Sequence, residues 1–175
     1  MLLAIDVQYE ELAATTACVA FADWRDETTT FELVTRSESI AAAYEPGEFY
    51  KRELAHLIDA IAQLEQRHAP RLVIIDAYVW LDVDKPGLGA HLHAALGERL
   101  PIVGVAKTTF RGAPSIPVLR GQSQNPLLVT AIGVDAAAAA EAVRTMHGPH
   151  RIPTLLKRAD QLARGHMPPD PAKAI

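Results

Sequence analysis

Two aspartates end apolar runs, Asp6 in LLAIDVQY and Asp76 in LVIIDAY. A carboxylate in such a run is costly if buried without a partner. If the two runs are neighbouring strands, both carboxylates can face one pocket, where they repel unless a cation lies between them. Oxygen ligands of this kind select Mg²⁺ or Mn²⁺. A metal so held can activate water and stabilise the leaving oxygen in phosphodiester hydrolysis. For either aspartate alone, capping a turn or pairing with an arginine is the plain alternative. Lys107 directly follows the run IVGVA and could hold a scissile phosphate or neutralise its transition state; its plain alternative is a surface lysine. Glu53 starts an amphipathic helix, where the dipole favours an acid in any case. Asp160, in KRADQLAR, reads equally well as a charge on a solvated face. His91 and His93 are two apart on a helical segment, so at most one points into a site. The chain shows no glycine-rich phosphate loop and no nucleophile elbow.

The elements that must position these groups are legible as alternating patterns. Residues 1–9, 15–24 and 28–35 read as three antiparallel strands joined in a meander. Residues 39–49 form a loop. Leu54, Leu57, Ile58, Ile61 and Leu64 recur at helical spacing over 50–68. Residues 71–76 are a short buried strand, and 77–86 are irregular. GLGAHLHAALGERL is a helix and PIVGVA a second buried strand. Residues 111–125 form a loop or hairpin, and PLLVTAIGV is a further strand. Asp135 caps a helix through the alanine run, and Pro153 opens a last helix over 154–164. The predicted architecture is α/β: a mixed central sheet, three antiparallel strands then parallel ones, flanked by helices. The ribonuclease H-like fold has this order. Residues 1–164 form one domain, and 165–175 a tail ordered only by docking.

Composition narrows the partners. The chain has 175 residues, 49% of them hydrophobic, and a net charge of −4. It holds no apolar run long enough to cross a membrane, and its first residues read as a strand rather than a secretory leader. The one cysteine, Cys18, permits no internal disulfide, so the cytoplasm is expected. Residues 1–80 carry 6 Lys+Arg against 14 Asp+Glu; residues 81–175 carry 11 against 7. Such a split suits a site that gathers metal on one side and phosphate on the other, although chance produces similar splits.

Five motifs, in order, resemble the endonuclease V family of metal-dependent enzymes that cut nucleic acid near deoxyinosine or inosine. AIDVQY resembles the first strand motif and implies that Asp6 is a metal ligand. AYEPGEFYKRE is similar to the family's Pro-Tyr-Ile-Pro-Gly loop and the Phe-Arg-Glu after it. That match implies a wedge at Tyr44, a turn at Pro46-Gly47 that presents it, and Arg52 beside a catalytic Glu53. VIIDAY resembles the strand carrying the second central aspartate, Asp76. GVAKTTF resembles Gly-Val-Ala-Lys-Ser and implies that Lys107 is catalytic. HRIPTLLKRADQLA is similar to the C-terminal motif, which puts Arg151 among the nucleic-acid contacts and Asp160 in the metal site. An aromatic wedge enters where a flipped base leaves the stack.

The departures cluster around base recognition. The family's Asp-Gly-x-Gly is here DAYV, its His-Pro-Arg is missing, and PGLGAHLH keeps a histidine, His93, of a Ser-His pair. The wedge loop has Ala43 for proline and Glu45 for an apolar residue, and the last motif lacks its second proline. The resemblance thus implies a Mg²⁺-dependent endonuclease, with Mn²⁺ as the alternative ion. Asp6, Asp76, Glu53 and Asp160 would form its metal site and Lys107 would act at the phosphate. The target is DNA or RNA, and the chain is a monomer. From Arg99 to Arg164 the chain has 9 Lys+Arg against 3 Asp+Glu, suited to backbone contacts that position without specifying sequence. Two rivals remain: a nuclease of the same fold with a changed substrate, and an inactive scaffold that binds nucleic acid or protein.

Overall fold

A computed structural model describes residues 1–11, 13–38, 49–65 and 68–174, except the side chains of Phe49 and Arg52. The chain opens with β1 (Leu2–Tyr9), β2 (Ala13–Phe21) and β3 (Phe31–Glu38), followed by α1 (Phe49–Glu65) and β4 (Leu72–Ile75). A small hairpin of β5 (Trp80–Asp82) and β6 (Lys85–Pro86) leads to α2 (Leu88–Ala95) and β7 (Ile102–Ala106). Then come β8 (Ile116–Val118), β9 (Leu127–Ile132), α3 (Ala136–Thr145) and α4 (Thr154–Ala163). Seven strands form one sheet in the order β3-β2-β1-β4-β7-β9-β8. The three-strand meander is antiparallel, as the sequence predicts, and β1, β4 and β7 are mutually parallel.

Alternation of side chains across the sheet divides the core. Leu2, Ala4, Leu72, Ile74, Val103 and Val105 pack on one face, with buried residues of α3 and α4. Leu3, Ile5, Val73 and Ile75 pack on the other face with Leu57, Ile61 and Leu64 of α1 and Leu92 of α2. The result is a helix layer, a sheet and a second helix layer. Burying Ile74 or Leu57 alone contributes roughly 1.5–3 kcal/mol of hydrophobic free energy, so the strand ends are anchored by a rigid centre. Asp135 caps α3 by accepting from the Ala138 N–H at 2.8 Å.

The structure revises the predicted sheet at one edge. Strand β9 runs antiparallel to β7, not parallel. A parallel return needs a crossover of a dozen or more residues, usually a helix; the segment between β7 and β9 holds only the short edge strand β8. Residues 77–86, read as irregular, contain the β5–β6 hairpin. The tail does dock. The Glu32 N–H donates to the Lys173 carbonyl at 2.8 Å, and Ala174 bridges Glu32 in parallel along the sheet edge. Among the described residues, no helix is long and apolar enough to cross a membrane.

Candidate active site

Register brings the two strand-end aspartates together. Ile5 of β1 lies opposite Ile75 of parallel β4, so the next residues, Asp6 and Asp76, stand side by side, Asp76 just past the end of β4 and Asp6 still paired with Ala17 of β2. Their parity is that of Ala4 and Ile74, which face α4. Lys107, two residues beyond Val105, emerges on the same face. From α4, Asp160 meets them: carboxylate oxygens of Asp6, Asp76 and Asp160 lie within 4.8 Å of one another. Gly104 of β7 is needed here because a Cβ would collide with the Ala77 carbonyl, and the chain must cross closely over β7 just after Asp76.

Positive charge is unevenly shared. The Lys107 ammonium lies 2.5 Å from Asp76 Oδ2 and 3.6 Å from Asp160 Oδ1. Arg164, one turn beyond Asp160, donates from Nε to Asp160 Oδ1 at 2.9 Å. Burial pushes Asp160 up, but Arg164 and Lys107 outweigh it and hold its carboxyl below the ordinary value. Burial likewise opposes the charge on Lys107, but Asp76, Asp160 and Asp6 raise its pKa on balance, so the ammonium stays charged. Asp6 has no ion pair among the described residues: it accepts from the Val7 N–H at 2.9 Å, and burial followed by repulsion from Asp76 pushes it up to about 6 despite the attraction of Lys107. Glu53, on the first turn of α1, is pushed up to about 7, first by burial, then by Asp6 and Asp76. Its carboxylate feels Asp6 and Asp76 from α1 but is not one of the three acids whose oxygens converge. The donor set fits a divalent cation. It consists of hard oxygens, and burial followed by mutual repulsion disfavours the charged carboxylates, a cost that a cation would offset.

The other sequence-selected residues are placed elsewhere. Tyr44, Pro46 and Gly47 lie outside the described residues, as does the Arg52 side chain. His93 is buried on α2, its Nδ1 2.8 Å from the Leu100 carbonyl oxygen, and is not in the carboxylate cluster. The Arg151 guanidinium donates to the carbonyls of Lys107 and Pro126. The guanidinium that the resemblance puts among the nucleic-acid contacts is therefore tied to the backbone of Lys107.

Three supporting contacts escaped the sequence reading. Arg164 stands four residues after Asp160, a helical ion-pair spacing that could have revealed it. The Tyr78 hydroxyl donates to the Thr108 carbonyl at 2.8 Å and accepts from the Phe110 N–H at 3.1 Å; it fastens the loop that follows Lys107. Tyr50 of α1 stacks on His91 of α2, with ring centroids 4.0 Å apart at 9°, and joins the helix that carries Glu53 to its neighbour. Neither of the last two has a local sequence signal.

A protein-family model described as endonuclease V matches residues 1–145. The catalytic domain of human endonuclease V is similar in structure, with a TM-score of 0.78 and 22% identity over 94% of this chain and 81% of that one. An endonuclease V from Ciona intestinalis, solved with a 24mer DNA containing an inosine followed by a ribo-adenosine, gives 0.80 and 16%, covering 94% and 84%. The endonuclease V of Streptomyces avermitilis gives 0.72 and 26%, covering 94% and 80%. Among curated proteins, no sequence matches the chain.

Proposed function

The chain belongs to the endonuclease V family, and from that premise we propose that it is a metal-dependent endonuclease hydrolysing a phosphodiester bond 3′ to deoxyinosine or inosine in nucleic acid. The observation that carries the reading is the convergence of Asp6, Asp76 and Asp160 oxygens within 4.8 Å, with Lys107 against Asp76. Support for the substrate comes from the Ciona relative, whose DNA contains an inosine.

Asp6, Asp76 and Asp160 would hold Mg²⁺ or Mn²⁺, with Glu53 beside them. The bound ion supplies Lewis acidity that lowers the pKa of water and offsets charge on the leaving oxygen. The chain's own groups do the rest. Lys107 remains an ammonium, so its part is electrostatic: it faces the negative charge of the scissile phosphate. Arg151 holds the Lys107 carbonyl and Tyr78 holds the loop that follows it, which keeps that charge where the phosphate must sit. Tyr44, which the resemblance presents on a turn at Pro46-Gly47, would fill the gap left by the extruded base, and Arg52 would support the strand nearby; His93, buried against the Leu100 carbonyl, has no such part. We place the enzyme in the cytoplasm as a monomer; buried Cys18 forms no internal disulfide, which suits a reducing compartment.

One observation favours a second reading, the same chemistry on another modified base or nucleic-acid structure. Val79 is fully buried and donates its N–H to Thr130 Oγ1 at 2.8 Å. A Cβ on Gly89 would stand 2.7 Å from Val79 Cγ2. The segment after Asp76 is thus packed shut against α2 by side chains where the resembling motif has glycines.

The test is a nicking assay on end-labelled DNA and RNA oligonucleotides, with and without one inosine, in Mg²⁺ or Mn²⁺, with Asp76→Ala as control. Cleavage 3′ of the inosine, lost in the variant, is the expected result. Cleavage that ignores inosine but is lost in the variant moves the substrate to the second reading. Absence of cleavage in both metals sinks the catalytic reading.

A further inference from the structure

Beside the carboxylates opens a cavity of about 240 Å³, lined by Lys107, His150, Arg151, Ile152, Lys157 and Asp160. It shares Lys107 and Asp160 with the candidate active site, but neither Asp6 nor Asp76 lines it. Three cations face one carboxylate. Lys107 is already paired with Asp76. Lys157 is not: it is exposed on the first turn of α4, and among the described residues its ammonium has no hydrogen bond or ion pair. The His150 ring is likewise exposed and unpartnered among the described residues. Arg151 Nε is buried with no acceptor, although its outer nitrogen is used. The cavity also lies at the N-terminal end of α4, where the helix dipole favours negative charge.

This wall is built rather than incidental. Arg120 is 6% exposed, and its guanidinium reaches the backbone carbonyls of Arg144, Met146, Gly148, His150 and Arg151. It has no carboxylate partner among the described residues; its charge is committed to holding one loop in shape. That loop carries His150 and Arg151, and Arg151 in turn grips the Lys107 carbonyl. The chain of contacts therefore fixes the cavity relative to the lysine at the scissile position.

We propose that this cavity is a phosphate subsite, in which Lys157 and His150 bind the internucleotide phosphate next to the one that is cut. The inference rests on the nuclease reading above and adds to it a second anchoring point on the strand. Lys107 lies between the two positions: one end of the substrate backbone meets the carboxylates and their cation, the next phosphate meets Lys157 and His150. A site that reads only backbone charge contributes to affinity and register, not to base choice. Losing one phosphate contact lowers the slope of log affinity against log salt by about 0.7–0.9.

The experiment measures binding and cleavage on the same oligonucleotides. A neutral methylphosphonate is walked along the strand around the inosine. Fluorescence anisotropy gives Kd at several salt concentrations with Ca²⁺ present, and cleavage is followed separately in Mg²⁺. The protein is full-length, as wild type, Lys157→Gln and His150→Ala. At one flanking position, methylphosphonate should weaken wild-type binding several-fold and reduce the salt slope. Lys157→Gln should show the same weakening with the natural strand and no further loss at that position. KM should rise while kcat changes less. If Lys157→Gln and methylphosphonate effects simply multiply at every position, or the variant binds like wild type, the subsite is overturned. If the coupled binding pattern holds while wild type cleaves nothing, the subsite stands and the nuclease reading fails. Lys157 is exposed, so its variant folds; His150→Ala, with its carbonyl still available to Arg120, checks the same position independently.

Discussion

Helix α4 sends charged side chains two residues apart to two different carboxylate sites, one buried and one partly open to solvent. Arg158 goes to Glu32, and Asp160 goes to Asp6 and Asp76. At the first site the balance is complete. Glu32, 1% exposed, receives Arg158 Nε and Nη2 at 2.8 Å each and the Asp170 N–H at 2.9 Å. Burial alone would raise its pKa, but these donors outweigh burial and lower it. At the second site carboxylates face one another, and Asp6 and Glu53 are pushed up to about 6 and about 7. The same sheet thus holds one acid whose charge is fully matched and a group of acids whose charge is not. Matched charge fastens the tail to the sheet edge. Unmatched charge is tolerated only where something from outside, a cation, completes it.

Removing one charged side chain from each site should produce opposite kinds of failure. Asp76→Ala should cost activity on the order of 10⁴-fold, about 5.5 kcal/mol of barrier, in single-turnover cleavage with Mg²⁺. The metal-free protein should melt no lower than wild type, because a repulsive charge has gone. Arg158→Met should do the reverse. It strands the Glu32 carboxylate without its partner, and breaking a buried pair costs about 3 kcal/mol or more in urea unfolding. Cleavage per folded molecule should change little. Replacing both partners, Glu32→Leu with Arg158→Met, should recover much of the loss. If Asp76→Ala destabilised the metal-free protein as much as Arg158→Met does, the two sites would not differ as described.

The pH dependence of metal-free stability should separate them next. Asp6 and Glu53 have folded pKa values raised above their ordinary ones, so the folded state binds their protons more tightly than the unfolded chain does. Their contribution is complete below the ordinary carboxylate range and is lost as pH rises through about 6 and about 7. Glu32 is lowered, so its contribution is present above that range and lost as pH falls through its depressed pKa. Without metal, Tm should therefore decline from mildly acidic to neutral pH, and Mg²⁺ should restore it most at neutral pH. Asp6→Asn should flatten the decline. A metal-free Tm that rises steadily from pH 5 to 8 would show that the acids near Asp6 are already compensated.

The two sites also differ in how far the sequence reveals them. Asp6 and Asp76 are legible because each ends an apolar run, and a buried run ending in a carboxylate is an energetic anomaly that a sequence shows directly. Their common face follows from strand alternation once β1 and β4 are taken as parallel neighbours. The Glu32–Arg158 pair spans 126 residues and neither member interrupts a pattern, so no local signal marks it. The same holds for Arg120, which reads as one cation in a basic segment but, among the described residues, bonds to carbonyls. Arg151 carries a motif yet is fixed by the Lys107 and Pro126 carbonyls, an arrangement set by the loop fold. The direction of β9 was misread because a strand pattern states that a strand exists, not which way the connection before it brings the chain back.

The finest distinction lies in Arg164, which among the described residues is the arginine that touches the acidic cluster. It is half exposed and holds Asp160 Oδ1 at 2.9 Å. If it belonged to the matched kind of site, its loss would destabilise the fold as Arg158 does. Solvent screening argues otherwise: an exposed helical pair contributes about 0.3–0.5 kcal/mol. Arg164→Gln should therefore shift the urea midpoint only slightly. Its effect should appear in the metal instead. Removing a cation from Asp160 leaves more negative charge for the ion, so the Mg²⁺ concentration giving half-maximal cleavage should fall a few-fold. Raising ionic strength should shrink that difference, since exposed charges are screened within about 8–10 Å near physiological salt. A large loss of stability with an unchanged Mg²⁺ requirement would place Arg164 with Arg158, as structural support rather than a competitor for the metal site.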